Sequence, residues 1–242
     1  MTSATRDDLL QRARELRWYH TIELPGHTTA GWFDLRPYVR HYGLPERMDG
    51  MRALEIGTWD GFWAFEMERR GAEVVALDLE DDLELDWPPR RRPERSPEIV
   101  RGKAFKVAHE LFDSKVERVV RSVYDATPEE LGTFDLVFCG TVLIHLRDQL
   151  LALERIASLC PGGTFISAEE YDRLAQLVPF PVSRYRADDQ SAVVFWRPAV
   201  RTWKRMMWTA GFDEVEEHGR FKMSSTDGFT VPHVVFHCRS PR

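Results

Sequence analysis

The sequence predicts an α/β fold, a parallel sheet with helices on both faces, extended at its amino end by a helix and an aromatic cover segment. Three observations predict it. From residue 52 onward, apolar runs of strand length alternate with segments of helical period. Helical segments stop at glycine, at Gly71 and at the "PGG" of 161–163. The first apolar run leads directly into a glycine-bearing turn, "GTWDG", as a strand feeding a crossover helix does.

Taken in order, residues 6–17 predict a helix with Leu9, Leu10, Ala13 and Leu16 on one face. The stretch "WYHTIELPGHTTAGWFDLRP" has neither helical nor strand period, yet is too aromatic for a free tail and must pack on something. "RALEIG" reads as a buried strand, "FWAFEMERRG" as a helix and "EVVALDL" as a second strand. "WPPRRRPERSPEIVRG" breaks all periodicity with four prolines and reads as an exposed loop. "KAFKVAHELF" is helical, and "VERVVRSVYDA" and "FDLVFCG" read as strands. A helix from His145 to Cys160 precedes the strand "TFISAEE"; residues 171–195 read as irregular. "PAVRTWKRMMWTAGF" predicts the last helix, and "DEVEEHGRFKM" and "HVVFHCR" the closing strands. We assign residues 1–50 to the helix and cover segment and 51–242 to a single sheet domain.

Composition narrows the function classes. Of 242 residues, 43% are hydrophobic, a globular balance, and the net charge of −6 speaks against a dedicated nucleic-acid binder. Cys139, Cys160 and Cys238 lie far apart in no CxxC pair, which predicts reduced thiols rather than disulfides or zinc. No cluster of histidines and carboxylates has metal spacing, so no metal is expected. The charged amino end lacks a signal-peptide core, and no apolar run approaches the ~18 residues needed to span a bilayer. A soluble, cytoplasmic protein is expected; its oligomeric state is open.

The turn "ALEIGTWDGFWAF" carries the chemistry. Gly57 and Gly61 lack the Cβ that would keep a ligand off the backbone. Asp78 ends the second strand, 17 residues after Gly61, where a carboxylate accepts from both ribose hydroxyls. A diphosphate is disfavoured, because Trp59 fills the middle of the turn and Asp60 adds negative charge beside it. S-adenosylmethionine fits instead: an adenosine, a sulfonium, and an ammonium that an acid such as Glu55 or Asp60 would receive.

In the same order, "LEIGTWDG", "VVALDLE", "VYDA" and "FDLVFCGTVLIHL" resemble successive motifs of the class I S-adenosylmethionine-dependent methyltransferases, from about residue 52 to 170. The resemblance implies a Rossmann-like sheet and methyl transfer to a small-molecule nucleophile (O, N or S) by in-line displacement. By it, Glu55, Gly57 and Gly61 border the methionine part, Asp78 holds the ribose, Asp125 faces the adenine amino group, and Leu79 and Tyr124 flank the ring. Thr58 and Cys139, within the motifs, join this cofactor set. Trp32 and Trp59 are expected in the pocket wall, where an aromatic face favours a sulfonium, although Trp59 departs from the family's commoner glycine.

"GRFKM", "VVFWRPA" and "IELPGHTTAGWFDLRP" further resemble the branch that contains the tRNA wobble-uridine carboxymethyltransferase, which uses a carboxylated cofactor. That branch holds the extra carboxylate with a lysine, a tyrosine and an arginine; aligned by eye, Tyr19, Ile144 and His233 stand there, so plain S-adenosylmethionine is expected. A tRNA-modifying transferase, or non-methyl chemistry on the same cofactor, is the alternative, supported by the arginine run at 90–95.

On the acceptor side, His20, His233 and Tyr185 are the catalytic candidates, histidine being suited to proton removal near neutrality. Tyr19, His27, His145, Arg184 and Glu169 are the candidate acceptor contacts. Each has a plainer reading: His145 as a tie between strand and helix, Glu169 and Glu170 as caps, Trp63 as core, the arginines as a solvated loop.

Overall fold

The computed structural model describes residues 5–94, 101–188 and 193–241. Arg95, in the predicted arginine loop, lies outside the described residues. Seven strands make the main sheet: β1 (Arg52–Ile56), β2 (Glu73–Asp78), β3 (Glu117–Val120), β4 (Leu136–Gly140), β5 (Thr164–Glu170), β6 (Glu214–Ser224) and β7 (Thr230–Arg239). Their order is β6-β7-β5-β4-β1-β2-β3. The first five run parallel, and β7 pairs antiparallel with both β5 and β6. The chain winds outward from β1 to β3, then returns to β4 on the other side. That reversal opens a crevice at the carboxyl ends of β1 and β4.

Successive strand residues face opposite sides, which divides the core in two. Ala53, Ala76, Phe138 and Ile166 pack with helices α2 (Phe62–Arg69) and α3 (Lys103–Phe112). Leu54, Val75, Val137 and Phe165 pack on the other face with α5 (Gln149–Leu159) and α6 (Val200–Thr209), after the single turn α4 (Pro128–Leu131). The amino-terminal helix α1 (Arg6–Glu15) starts at a capping box. The Thr5 hydroxyl accepts from the Asp8 amide, and the Asp8 carboxylate accepts from the Thr5 amide. Its buried Leu9 and Ala13 hold it against the domain. Among the described residues, no helix is long and apolar enough to cross a membrane.

The cover segment is ordered by pieces too short for a period to show. Trp18–His20 pairs in parallel with Gly31–Phe33, and Glu23–Leu24 pairs with His27–Thr28 in a small hairpin. Gly31 is required by close approach: a Cβ there would lie 2.0 Å from the His20 carbonyl carbon. A 3-10 helix, Arg36–Tyr42, follows. Trp18, Ile22, Leu24, Phe33, Leu35 and Tyr42 are buried in the same core as α2.

Four expectations are corrected. The third strand ends at Val120, not Ala126, because Ser122 accepts from the Tyr124 amide and turns Val123–Asp125 into 3-10 geometry. The helix expected from His145 begins at Gln149, where the Asp148 carboxylate caps the Leu151 amide. Within the irregular 171–195 region, Ser183–Tyr185 forms an antiparallel ladder with Trp196–Pro198. The arginine loop is not wholly exposed: Arg101 is buried.

Candidate functional site

A cavity of about 520 Å³ occupies the crevice, floored by the ends of β1, β2 and β4 and roofed by the cover segment. A wider groove of about 970 Å³ lies between the cover segment and the outer side of α2, away from the strand ends, and is lined by none of the candidate site residues. The crevice cavity is the candidate site.

The glycine turn forms its centre. Gly57 has φ +79, and its amide donates to the Leu77 carbonyl over 2.8 Å, so the turn lies flat against β2. Trp59, with φ +51, holds a backbone conformation costly for a bulky residue. Its amide donates to Asp78 Oδ2 over 2.7 Å. Its ring lies between the Tyr19 ring, 4.7 Å away, and the Arg101 guanidinium, 4.2 Å away. The indole is therefore a spacer that fixes one wall of the cavity.

Asp78 also accepts from the Leu79 amide over 2.8 Å and from Arg101 over 3.1 Å. Burial raises its pKa, with Arg101 opposing the shift. Arg101 bridges onward to Asp82 over 2.5 Å. Glu55 is buried and accepts from the Thr58 hydroxyl over 2.5 Å; burial pushes its pKa up to about 8. The Tyr124 phenol donates to Asp86 over 2.6 Å. Glu55, Asp78, Asp82, Glu84 and Asp86 thus face a cavity whose arginines, Arg101 and Arg121, are already paired with carboxylates. The balance favours a cationic ligand.

Asp60 has a different task from the one expected. It is fully buried, and its Oδ2 accepts from the amides of Tyr19 and His20 over 2.9 and 2.7 Å. Its Oδ1 meets His20 Nδ1 at 2.5 Å. This acid therefore binds the cover segment to the glycine turn rather than facing a ligand ammonium.

Of the residues the sequence singled out, Tyr19, His20, Trp32, Glu55, Gly57, Trp59, Asp78, Leu79, Tyr124 and His145 line the cavity. Nine do not. Thr58 is buried under the turn as the donor to Glu55. Gly61, at φ +93, serves the start of α2, where a Cβ would meet Phe65 at 2.3 Å. Cys139 faces the core, one residue before the strand end. Asp125 is exposed, its place at the cavity taken by Ser122, Val123 and Tyr124. His27 sits in the hairpin of the cover segment and does not line the cavity. Glu169 is sealed below, accepting from the amides of Val142 and Leu143 over 3.3 and 3.2 Å, with its pKa raised to about 8 by burial. Arg184 pairs with Asp172 over 3.3 Å, and Tyr185 is exposed against Trp196.

The ninth is His233. It is fully buried, stacks on Phe221 and meets the Thr141 hydroxyl at 2.9 Å, and burial pulls its pKa down to about 4. Thr141, at φ +57, stands between it and the cavity. His145 lines the cavity and is tied through Nδ1 to the Val193 carbonyl, so its tie runs to the segment just before Trp196–Pro198 and not, as the sequence predicts, to the helix α5 that follows its strand.

Sequence reasoning missed Arg101, Asp82, Asp86 and Thr141. Only Thr141 carried a signal, its position immediately after β4. The others arrive from an aperiodic loop.

Known proteins resemble this chain in sequence and in fold. A family model described as "Methyltransferase domain" matches residues 31–217. The chain is 36% identical over 121 residues to the ubiquinone biosynthesis O-methyltransferase of Xanthomonas campestris pv. campestris (strain B100), covering 48% of this chain and 42% of that protein. The same-named protein of Xanthomonas oryzae pv. oryzae (strain PXO99A) is 35% identical over 131 residues, covering 52% and 46%. The match thus spans less than half the length of these relatives. Among solved structures, the N-terminal domain of EvdMO1 with SAH bound superposes with TM-score 0.68 at 19% identity, covering 98% of both chains. An S-adenosylmethionine dependent methyltransferase from Mesorhizobium loti gives TM-score 0.55 at 18% identity, covering 85% of this chain and 97% of that one. With the family model spanning most of its length, this chain belongs to the methyltransferase domain family, whose members draw the methyl group from S-adenosylmethionine.

Proposed function

We propose that this chain transfers the methyl group of S-adenosylmethionine to a small-molecule nucleophile. The observation that carries the reading is the cavity itself: acid-lined, set at the reversal of strand order, and roofed by aromatic residues. Glu55 is placed to receive the ammonium, Gly57 to admit the methionine chain, and Asp78 to accept from the ribose. Leu79 and Tyr124 flank the adenine, with Asp86 rather than Asp125 near its amino group. Tyr19 and Trp32 supply the faces that favour a sulfonium, while Trp59, covered by Tyr19 and Arg101, holds that wall in place. The donor is already activated, so these residues need only align the acceptor and exclude water. A cavity of about 520 Å³ suits this cofactor with a small acceptor.

The likeness to the wobble-uridine branch bears on the donor. Tyr19 lines the cavity, Ile144 is buried, and His233 is held neutral behind Thr141. None supplies a fixed cation for an extra carboxylate, and Arg101 is committed to Asp78 and Asp82. This favours plain S-adenosylmethionine. The tRNA reading rests on the arginine run, and a gel shift with total tRNA over a salt series tests it.

Calorimetry with S-adenosylmethionine, SAH and the carboxylated cofactor at pH 8 tests the whole reading. S-adenosylmethionine is expected to bind, and to bind more tightly than the carboxylated form. No binding of either would sink it.

A further inference from the structure

We propose that His20, oriented by Asp60, is the general base of the reaction, and that the acceptor is an un-ionised hydroxyl on a flat ring lying against Tyr19 and Trp32. The inference rests on the methyl-transfer reading above and names its acceptor chemistry.

The carboxylate of Asp60 is fully buried and accepts three hydrogen bonds, two from backbone amides and one at 2.5 Å from His20 Nδ1. An acceptor so placed holds the imidazole proton on Nδ1 and leaves Nε2 with its lone pair free. Nε2 has no hydrogen-bond partner among the described residues, and His20 lines the cavity. The ring is fixed on its other sides by Tyr19, edge-on at 4.8 Å, and by Phe62 at 5.5 Å. A buried acid, an oriented imidazole and an unpartnered Nε2 on a residue that lines the cavity form the arrangement that proton removal requires.

The other ionisable groups at the cavity do not compete. Burial drives the Tyr19 phenol to remain protonated, so it donates and does not remove protons. Glu55 is raised by burial and held by Thr58. Asp78 and Asp82 are paired with Arg101. His145 is tied to Val193 at Nδ1, and burial lowers its pKa, which makes it a poor proton acceptor.

The need for a base defines the acceptor. A thiolate or free amine brings its own lone pair, whereas a ring hydroxyl with a pKa near ~10 is protonated at neutral pH. His20 Nε2 takes the hydroxyl proton as the oxygen bonds to the methyl carbon; the electron pair of the breaking S–C bond returns to sulfur, leaving a neutral thioether. The positive charge passes from sulfonium to imidazolium. Tyr19, Trp32 and Trp59 form an aromatic cluster beside His20, with Tyr19 and Trp32 centroids 5.9 Å apart, and Trp32 is 41% exposed at the mouth. Such a surface is suited to a flat ring.

Two measurements test this. Nitrogen-15 NMR of the unliganded protein reads the tautomer: the neutral His20 ring is expected to carry its proton on Nδ1, and in Asp60→Asn, whose side-chain amide donates towards that nitrogen, on Nε2. A wild-type ring protonated on Nε2 overturns the assignment. Rates are then compared for catechol and 4-nitrocatechol, the latter largely ionised at pH 8. His20→Ala and His20→Gln are expected to slow catechol methylation by about 100-fold or more and 4-nitrocatechol methylation by only a few-fold, with SAH affinity unchanged. An equal loss for both acceptors means that His20 merely supports the fold. A wild type that binds SAH but methylates neither overturns the acceptor class. Failure to bind SAH overturns instead the methyl-transfer reading beneath it.

Discussion

The amino-terminal cover segment and the carboxy-terminal elements beyond β5 each supplied three of the eight residues expected on the acceptor side. From the first, Tyr19 and His20 reach the cavity. From the second, Arg184 and Tyr185 lie on an exposed ladder and His233 is sealed in the sheet. Both regions are rich in aromatic residues and adjoin the crevice side of the fold. They differ in one bond network: Asp60, in the glycine turn, takes the backbone amides of Tyr19 and His20 and fixes that segment over the site. Among the described residues, the ladder of Ser183–Tyr185 with Trp196–Pro198 has no tie of this kind to the turn. Its Arg184 instead meets Asp172, just past β5. Residue type does not place a side chain at a site; a buried anchor does.

The comparison breaks if the floor of the cavity is not a cofactor seat. Asp78→Ala is expected to weaken S-adenosylmethionine binding about 100-fold or more in calorimetry, since charge-assisted hydrogen bonds contribute roughly 1.5–3 kcal/mol each. An unchanged affinity would remove the ribose assignment. Asp60→Ala comes next. It leaves two buried amides and an imidazole without their acceptor, so unfolding in urea should show a loss of about 3 kcal/mol. A loss under 0.5 kcal/mol would mean the cover segment is held by its apolar contacts alone.

The buried groups on the two sides respond oppositely to pH. His233 has its pKa depressed from 6.5 to about 4 by burial. The unfolded chain therefore takes up a proton near 6.5 that the folded chain refuses until about 4. Its stabilisation is present above pH 6.5 and lost as pH falls towards 4, by about 3 kcal/mol over the full range. Glu55, raised from 4.5 to about 8, behaves in reverse: its stabilisation is present below 4.5 and lost as pH rises through 8. Unfolding curves from pH 4 to 8 should show His233→Gln with a reduced acid decline and Glu55→Gln with a reduced alkaline one, the remainder of the latter belonging to Glu169. Parallel curves for wild type and variants would contradict both burial arguments.

The smallest effect sharpens the contrast. Arg184→Ala and Tyr185→Ala should change methylation rate by less than about twofold, since an exposed ion pair contributes only ~0.2–1 kcal/mol. A tenfold loss would return the Ser183–Tyr185 ladder to the site.

Much of the fold was legible because it is local. Strand β1, its turn and α2 follow from apolar period and glycine position within twenty residues, and β2 ending at Asp78 follows from the same pattern. The β3 boundary was not legible, because a serine cap overrides an apolar run that reads as continuous strand. The cover segment was legible only as something that packs. Strands of two or three residues leave no period, and their course depends on partners such as Gly31 beside His20 and Asp60 forty residues on.

The sequence by itself determined the parallel α/β architecture and put the glycine turn, with Glu55, Gly57 and Asp78, at the strand ends where the cavity lies, because motif spacing and strand length place these through a few contiguous residues. The tertiary structure alone decided which histidine meets the cavity, that Asp60 orients it, and that Arg101 and Asp86 join the wall. Those assignments depend on long-range closure: a strand side chain faces in or out according to register with a distant partner, and a loop side chain according to the charge it finds when the chain returns. His20 and His233 are the same residue type, each near a strand end. One meets a buried carboxylate and an open cavity; the other meets a hydroxyl and a sealed core.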